Sequence, residues 1–277
     1  QDAKINTCDP GDDSWHIRAN QVTADYNKNV GVARGAALVF KGVPLLYTPW
    51  MDFPLNGNRK SGLLLPTVKA GSNGFELETP YYFNLAPNYD ATLAPHLMTD
   101  RGLAVSGEFR YLQPDYQGRA YGKWLPDDRK SDDNNRYEVT LQHQQRFTSN
   151  LTGGIDFNQV SDDDYVRDFG SRADVQQSNH LNRQAWVDYN NEVWDGDFIA
   201  RLQVQKYQTL QNNQRTIDVP YQIMPRLSAT YLKDFDPYHA TLNVFGQFTN
   251  FEHQTKQAGQ RAVLYPSVRF DFSRPWG

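Results

Sequence analysis

Apolar and polar side chains alternate along most of this chain, and this alternation constrains its fold more than any other feature. Tyr137, Val139 and Leu141 alternate with polar residues, and similar runs recur from Phe75 to Phe272. A period of two residues is that of a β-strand with one apolar and one polar face. Because helical periodicity is scarce, the sequence predicts an all-β protein.

The connections between these runs alternate in length after residue 61. Short connections include Asn88, Asp100–Gly102, Ser149–Asn150 and Asp234–Tyr238, whereas the longer ones are Asp127–Asn135, Ser161–Asn179 and Gln211–Pro220. Short turns opposite long loops are typical of outer-membrane barrels, whose tilted strands of ~9–11 residues span the lipid. We count about twelve strands and find no closing strand. Residues 61–277 are therefore predicted to form the N-terminal part of a transmembrane antiparallel β-barrel, incomplete here.

The composition agrees with such a barrel but is not specific to it. Mean hydropathy is −0.73, and no run approaches the ~20 apolar residues of a membrane-spanning helix. Aromatic residues make up 13% of the chain, which suits girdles at the two membrane interfaces. The net charge is −4 and there is no basic stripe, so nucleic acid is not an expected partner. A secreted or periplasmic β-sandwich would share this composition.

The first 60 residues have a different pattern. Strand-like runs in residues 1–50 are short, which predicts the end of a small sheet domain. A proline-rich connector, residues 51–60, follows and contains Pro54 and the turn-forming run after it. No signal peptide is visible, so either one was removed or the chain begins inside a longer protein.

Two blocks of sequence are long and specific. The first comprises residues 7–19 and 41–50; the second comprises residues 59–66, 74–75, 79–93, 98 and 101–102. Both blocks resemble the LptD family of LPS-assembly proteins of the Gram-negative outer membrane. The resemblance is dense over about residues 7–112, and beyond them only the strand pattern continues.

This resemblance implies a periplasmic β-jellyroll joined to an outer-membrane barrel that opens sideways between its first and last strands. Lipopolysaccharide would rise along the apolar interior of the jellyroll, its lipid part would enter the outer leaflet through the opening, and its sugars would pass through the lumen. The implied partners are lipopolysaccharide, outer-membrane lipids, the plug lipoprotein LptE and the periplasmic bridge protein LptA. Residues 1–50 would then be the last strands of the jellyroll.

Two prolines lie near the start of the predicted barrel. We expect Pro66 inside its first long strand and Pro80 inside its second. Proline lacks an N–H group, so each removes one ladder hydrogen bond. In the resembled family this pair is associated with the lateral gate, which predicts a weakened seam. The simpler interpretation is that each proline marks a bulge or a strand end, since Pro95, Pro225 and Pro266 also fall in strand-like runs.

Two further predictions concern the first domain. Six apolar residues would line the groove for the lipid: Trp15, Ile17, Ala19, Ala36, Leu38 and Phe40. Their alternative role is that of ordinary sandwich core. The single cysteine, Cys8, cannot form a disulfide within this chain. The resemblance implies a disulfide to a partner outside this chain, and the alternative is a free buried cysteine.

Other polar clusters carry weaker predictions. Asp162–Asp164 could bind a divalent ion, but a solvated charge run in a loop explains it more simply, and residues 127–133 are interpreted in the same way. The histidines, including His143 and His239, lack metal-ligand spacing. No phosphate loop, nucleophile elbow or catalytic carboxylate pair stands out. The sequence thus predicts no cofactor, no metal site and no enzyme.

Two other classes of protein remain open at this point. A passive porin-like channel for hydrophilic solutes would share the alternation, the girdles and the loops, although it explains neither the first domain nor the two early prolines. A soluble adhesin or carbohydrate-binding β-sandwich would bury the apolar strand faces against a second sheet.

Overall fold

The computed structural model describes residues 3–5, 15–27, 29–40, 42–56, 59–131, 135–170, 179–211, 216–236 and 239–271. Almost all regular structure in these ranges is β-strand, which confirms the all-β prediction. None of the described helices is long and apolar enough to cross a membrane. The chain divides into two compact units, one of Gln1–Leu64 with Tyr81–Leu85 and one of Leu65–Pro80 with Ala86–Gly277.

The elements follow one another along the chain in this order. They are β1 (Ala3–Ile5), β2 (Trp15–Asp25), β3 (Val30–Phe40), β4 (Val43–Pro54), β5 (Gly62–Leu63), β6 (Thr67–Gly71), β7 (Gly74–Glu78), β8 (Tyr81–Ala86), β9 (Tyr89–Met98), β10 (Gly102–Leu112), β11 (Tyr116–Leu125), β12 (Arg136–Arg146), β13 (Leu151–Val160), α1 (Tyr165–Phe169), β14 (His180–Val193), β15 (Gly196–Thr209), β16 (Gln222–Phe235), β17 (Ala240–Glu252) and β18 (Gly259–Phe270). Strand β4 therefore extends into the first four residues of the predicted connector.

The smaller unit contains an antiparallel sheet in the order β1-β2-β3-β4. The turn between β2 and β3 is closed by the Asp25 carboxylate, which accepts a hydrogen bond from the backbone N–H of Asn27 at 3.0 Å. Asn29 takes a positive φ of 54°, a conformation that asparagine tolerates better than most residues. The β5–β8 pair also belongs to this unit.

The larger unit is built on an antiparallel sheet. The path of neighbouring strands in this sheet is β18-β17-β16-β15-β14-β13-β12-β11-β10-β9-β7-β6, and β8 lies off this path. Three of them, β14, β15 and β16, reach 14 residues each.

Cross-strand register sorts the side chains of this sheet onto two faces. Phe109, Ala120, Leu141 and Phe157 follow one another across β10, β11, β12 and β13 on one face. The opposite face carries polar rows such as Arg119, Gln142, Asp156 and Gln184. We call these the apolar face and the polar face. Large residues of the apolar face are exposed, including Leu103, Trp124, Leu202 and Leu264. A soluble sandwich would instead bury them.

The connections agree with the predicted pattern from β10 onward. Few residues separate β10 from β11, β12 from β13, β14 from β15 and β16 from β17, whereas many more separate β11 from β12, β13 from β14 and β15 from β16. The separation of β17 from β18, residues 253–258, is intermediate. The alternation is wrong for the first strands, because Ser72–Asn73 and Thr99–Arg101, at the long-loop end, are also short. These turns are covered by the loop that follows β11, since Lys130 contacts Ser72 and Asp100.

Candidate functional site

Pro66 and Pro80 each lie where a strand run is interrupted. Residues 64–66 separate β5 from β6, and Thr79–Pro80 separate β7 from β8. The sequence placed both prolines inside continuous strands, and the structure corrects this. Because proline has no N–H to donate, the ladder stops at each of them.

The two ladders on either side of this break differ in register by one residue. Leu63 lies opposite Tyr81, and Thr67 lies opposite Glu78, so that three residues (64–66) face two (79–80). One extra residue on one strand is the signature of a β-bulge. The hairpin is thus held by a two-pair ladder and a five-pair ladder, with no register pair joining 64–66 to 79–80 in the described range 59–131. A bulge is also what the simpler interpretation of the prolines predicts.

The boundary between the two compact units passes through the same break. It lies between Leu64 and Leu65 and again between Pro80 and Tyr81. On the side of the smaller unit, Asn84 donates from its backbone N–H to Ser61 Oγ at 2.8 Å and from Nδ2 to the Arg59 carbonyl at 2.9 Å. These bonds tie β8 to the connector.

Exposed apolar side chains lie on both sides of the break along the chain. In the smaller unit Leu63 is 75% exposed and Leu64 and Leu85 are exposed as well, and in the larger unit Leu65 and Val68 are exposed. Water disfavours exposed apolar side chains, whereas acyl chains, which are equally apolar, do not.

The six apolar residues predicted for the groove form three cross-strand pairs. Trp15 lies opposite Phe40, Ile17 opposite Leu38, and Ala19 opposite Ala36. The three pairs therefore share one stretch of the β2–β3 hairpin, as the alternation implied. Ala19 and Ala36 are each only 1% exposed, and Ile17 packs against them. The two alanines thus behave as core, which was the alternative interpretation, and Cys8 lies outside the described residues.

The alternation of β2 and β3 breaks at one position that the sequence analysis missed. The register omits Asn20 opposite Gly35, and Gly35 has a positive φ of 57°. Beyond this irregularity, Val22 and Ala33 join the same apolar cluster as Ala19 and Ala36, together with Met51 and Phe53. Because glycine adopts this conformation without strain, it lets the hairpin keep one continuous apolar stripe.

A buried ion-pair network lies at the long-loop end of the larger sheet, and sequence reasoning missed it. Arg136, at the start of β12, is 0% exposed. Its guanidinium donates from Nε and Nη2 to the Asp162 carboxylate at 2.9 and 2.7 Å, and from Nη1 to Asp168 at 2.7 Å and Asp128 at 3.0 Å. Arg101 binds Asp128 at 2.6 Å and Asp168 at 3.1 Å. The expectation that Asp162 is part of a solvated charge run was wrong.

This network favours the ionised form of Asp128 and Asp168. Burial acts to raise the pKa of Asp128, but the Lys130 backbone N–H and the guanidinium groups of Arg136 and Arg101 outweigh it and lower that pKa. The pKa of Asp168 is lowered in the same way, with burial opposed by Arg136, Arg101 and Arg167. Two arginines thus hold three carboxylates in a low-dielectric site, and no described group of histidines, cysteines and carboxylates has a metal-binding arrangement.

The chain can now be compared with known proteins. The family description LPS transport system D, LptD, matches residues 134–277. The chain belongs to the LptD family. The LPS-assembly protein LptD of Neisseria gonorrhoeae is 51% identical over 276 residues, which cover 100% of this chain and 34% of that protein. The LptD of Chromobacterium violaceum is 46% identical over 275 residues, covering 99% of this chain and 35% of its own.

The chain thus spans about a third of the length of the curated LptD relatives that it matches, 34% for the gonococcal protein. Both descriptions name transport or assembly, in agreement with the expectation that the chain is not an enzyme. A solved NanC porin is 13% identical and covers 76% of this chain and 97% of its own, with a TM-score of 0.26. This value adds nothing to the fold, which rests on the sheet itself.

Proposed function

We propose that this chain is the segment of an outer-membrane LptD protein that delivers lipopolysaccharide into the outer leaflet beside Pro66 and Pro80. The observation that carries the proposal is the broken hairpin of residues 61–86, in which two short ladders flank an unpaired, bulged stretch. The neighbouring surface is apolar, as Leu64 and Leu65 are exposed. On this proposal residues 61–277 are the first part of the barrel and residues 1–50 the end of the jellyroll.

Energetics support an opening at this place. A ladder hydrogen bond contributes roughly 0.5–1.5 kcal/mol net in water, and an unsatisfied group in lipid costs several kcal/mol. Strands within a bilayer therefore resist separation along their whole length. At the break the first strand has already lost its pairing with the second, so it can bend away from the last strand of the barrel at a smaller cost than a strand of a continuous ladder such as β14–β15, which is joined over 14 residues.

The two faces of the larger sheet suit the two halves of the substrate. The apolar face would meet acyl chains, whereas the polar face, with rows such as Arg119, Gln142 and Asp156, would meet water and sugars. In the smaller unit, Ile17 and Val22, which are only partly buried beside the Ala19–Ala36 core, would contact the lipid part of the substrate.

The partners and the disulfide belong to the same proposal. LptE would occupy the lumen, and LptA would dock on the jellyroll end that lies outside this chain. Cys8 would form its disulfide with a cysteine beyond this chain and hold the two domains in register. Copurification with LptE and LptA tests the partners, and the mobility of the full-length protein with and without Cys8→Ser on a non-reducing gel tests the disulfide.

The experiment on the opening replaces both prolines in the full-length protein. Pro66→Ala combined with Pro80→Val restores two backbone donors, and the expected result is slower appearance of lipopolysaccharide at the cell surface. Pro266→Ala is the matched control, since Pro266 lies inside β18 opposite Val244, at the other end of the sheet path from the break. Heat-modifiable gel mobility checks that each barrel has folded. Surface lipopolysaccharide equal to wild type in a folded double variant contradicts the proposal.

The passive channel makes a different prediction. A porin would conduct hydrophilic solutes and would be indifferent to the two prolines. Steady ion conductance by the complete protein with LptE, combined with unchanged lipopolysaccharide export in the proline variant, would favour that alternative.

A further inference from the structure

We infer that a groove on the polar face, floored by the indole ring of Trp186, is a binding subsite for the saccharide part of the substrate. Six residues define this surface, here called the Trp186 groove: Leu112, Gln117, Gln142, Gln144, Asp156 and Trp186. The inference rests on the proposed function in one respect, which is that the polar face lines the lumen through which the sugars pass. It adds the place on that wall where they bind.

Trp186 belongs to a row of residues that crosses five strands on the polar face. Register pairs join Gln117 of β11, Gln144 of β12, Gly154 of β13, Trp186 of β14 and Gln203 of β15. On each strand the row is two residues from the polar row described above, so both rows share one face. The indole therefore lies among amides, on the side of the sheet opposite to the lipid-facing aromatic residues.

Gly154 lets the indole lie against the sheet. A Cβ atom at this position would be 2.5 Å from Cζ2 and 2.8 Å from Cη2 of Trp186, so the ring fills the space that a side chain would need. Gly154 is buried, whereas Trp186 remains partly exposed. Part of the ring is thus open to the groove, and the wall behind the ring holds it in place.

Exposed amide side chains border the ring. Gln117 Nε2 donates a hydrogen bond to Gln144 Oε1 at 2.8 Å, and Gln142 is exposed two residues before Gln144. The bond between the two glutamines leaves the carbonyl oxygen of Gln117 and the amide nitrogen of Gln144 with hydrogen-bonding capacity. A carboxamide both donates and accepts, and so does a sugar hydroxyl. The groove therefore offers partners that match a row of hydroxyl groups.

The charged groups beside these amides are held by partners of their own. Arg146 Nη2 donates to the Asp115 carboxylate at 3.0 Å. The Asp156 carboxylate accepts hydrogen bonds from the amides of Asn158 and Asn182 at 3.0 and 2.9 Å. What the groove presents to a ligand is mainly an aromatic ring and neutral amides, which suits a polyhydroxylated molecule better than a small ion.

A pyranose ring has the two kinds of surface that this arrangement requires. Its axial C–H groups form an apolar face, and the negative face of an aromatic ring attracts the positive ends of C–H bonds. Its hydroxyl groups lie around the edge and lose water on binding, so each needs a hydrogen-bond partner. Trp186 supplies the first contact, and the glutamine side chains supply the second.

The size and the position of the groove agree with this ligand. Two cavities of about 510 and 540 Å³ share Leu112, Gln117, Gln144 and Trp186, and ligand sites for small molecules have volumes of roughly 300–1,000 Å³. Residues 113–115, between β10 and β11, line one of them. The groove thus lies toward the short-turn end of the sheet, which faces the periplasm in outer-membrane barrels. A saccharide that enters from the periplasm meets it early.

The test measures binding of lipid-free core oligosaccharide, released from lipopolysaccharide by mild acid, to the purified full-length protein with LptE. Trp186→Leu keeps an apolar side chain and removes the aromatic face. We expect several-fold weaker binding by isothermal titration calorimetry. Trp186→Tyr restores an aromatic face and should recover most of the affinity, which a loss of packing alone would not explain.

Trp124→Leu is the matched control. Trp124 is a tryptophan of the same sheet, 54% exposed on the apolar face of β11, and its loss should leave oligosaccharide binding unchanged. Heat-modifiable gel mobility checks that each barrel has folded. If Trp186→Leu prevents folding, the combined variant Gln117→Ala and Gln144→Ala removes two exposed side chains instead, and a several-fold loss of binding is again expected.

Absence of binding to the wild-type complex, or equal binding by folded Trp186→Leu protein, overturns the inference. Loss of LptE from the Trp186→Leu protein with normal oligosaccharide binding would show that the groove is a protein contact, and it overturns the inference as well. Failure of the proposed function is distinguishable, because it would appear as normal lipopolysaccharide export in the proline variant. Oligosaccharide binding is measured on purified protein and does not depend on that export.

Discussion

Leu63 lies opposite Tyr81, the residue after Pro80, and this is the last pair of the β5–β8 ladder before the register shifts by one residue. The relationship places the end of pairing at the prolines themselves. It also explains why the hairpin of residues 61–86 is divided between two compact units at this point. On the proposed function, a first strand whose pairing is interrupted here can bend away from the last strand of the barrel without breaking the longer ladders of the sheet.

Contact of lipopolysaccharide with the smaller sheet can be tested by photocrosslinking. A photoreactive residue at Ile17, which packs on the Ala19–Ala36 stripe, should form adducts with lipopolysaccharide in cells that export it. The same probe at Arg18, the next residue and on the opposite face, is the control. Equal adducts at both positions would argue that the stripe is only structural core.

Gly35 should be essential for the shape of that stripe. Alanine at this position would combine a left-handed backbone with a Cβ only 2.5 Å from Asn20 Nδ2. Gly42→Ala separates these effects, because Gly42 also has a positive φ but an added Cβ meets nothing within 4 Å. The backbone term alone costs about 1–2 kcal/mol. The thermal unfolding midpoint of the full-length protein should therefore be lowest for Gly35→Ala, intermediate for Gly42→Ala and highest for the wild-type protein. Equal midpoints for the two variants would show that the contact with Asn20 has no effect on stability.

The ion-pair network around Arg136 should respond to acid in a defined range. Asp128 and Asp168 have pKa values lowered below the ordinary 3.8 by Arg136, Arg101, Arg167 and the Lys130 backbone N–H, against the effect of burial. A carboxylate with a depressed folded pKa stabilises the folded state above its ordinary pKa and loses this effect as pH falls through the folded value. The difference in thermal unfolding midpoint between the wild-type protein and Asp168→Asn should therefore stay constant from about pH 8 to pH 5 and shrink only below about pH 4.

Asp168→Asn removes one of the titrating groups, so its unfolding midpoint should lie below that of the wild-type protein at neutral pH and depend less on acid. A midpoint difference that shrinks between pH 7 and pH 5 would contradict this assignment, since the lowered pKa values of Asp128 and Asp168 keep both groups ionised there.

Local patterns in the sequence predicted the features that depend on neighbouring residues. Period-two alternation put Trp15, Ile17 and Ala19 on one face of a strand and Ala36, Leu38 and Phe40 on one face of another, and the register pairs these two sets because it follows the apolar face. The chemistry of proline gave a bulge or a strand end as the simpler interpretation of Pro66 and Pro80, and the register has a bulge there. Gly35 shows the limit of this reasoning, since one left-handed residue redirected Val22 and Ala33 to the same cluster.

The ion-pair network could not be predicted in this way. Arg101, Asp128, Arg136 and Asp168 come from four separate segments, and no periodicity connects loop residues that meet only after the sheet has formed. The sequence indicated the network only through Arg136, which lies at the start of a strand between the acidic segments 127–133 and 162–164. Charge runs in loops are usually solvated, which is why Asp162 was assigned to solvent.

The most direct test of the opening is a pulse-labelled crosslink from its rim. A photoreactive residue at Leu65, exposed beside Pro66, is compared in the full-length protein with one at Leu202, which is exposed on the apolar face of β15 far along the sheet. Newly made lipopolysaccharide should crosslink to Leu65 first and strongly, and to Leu202 only later, as it accumulates in the surrounding leaflet. Simultaneous and equal crosslinking at the two positions, or earlier crosslinking at Leu202, would contradict delivery beside the two prolines.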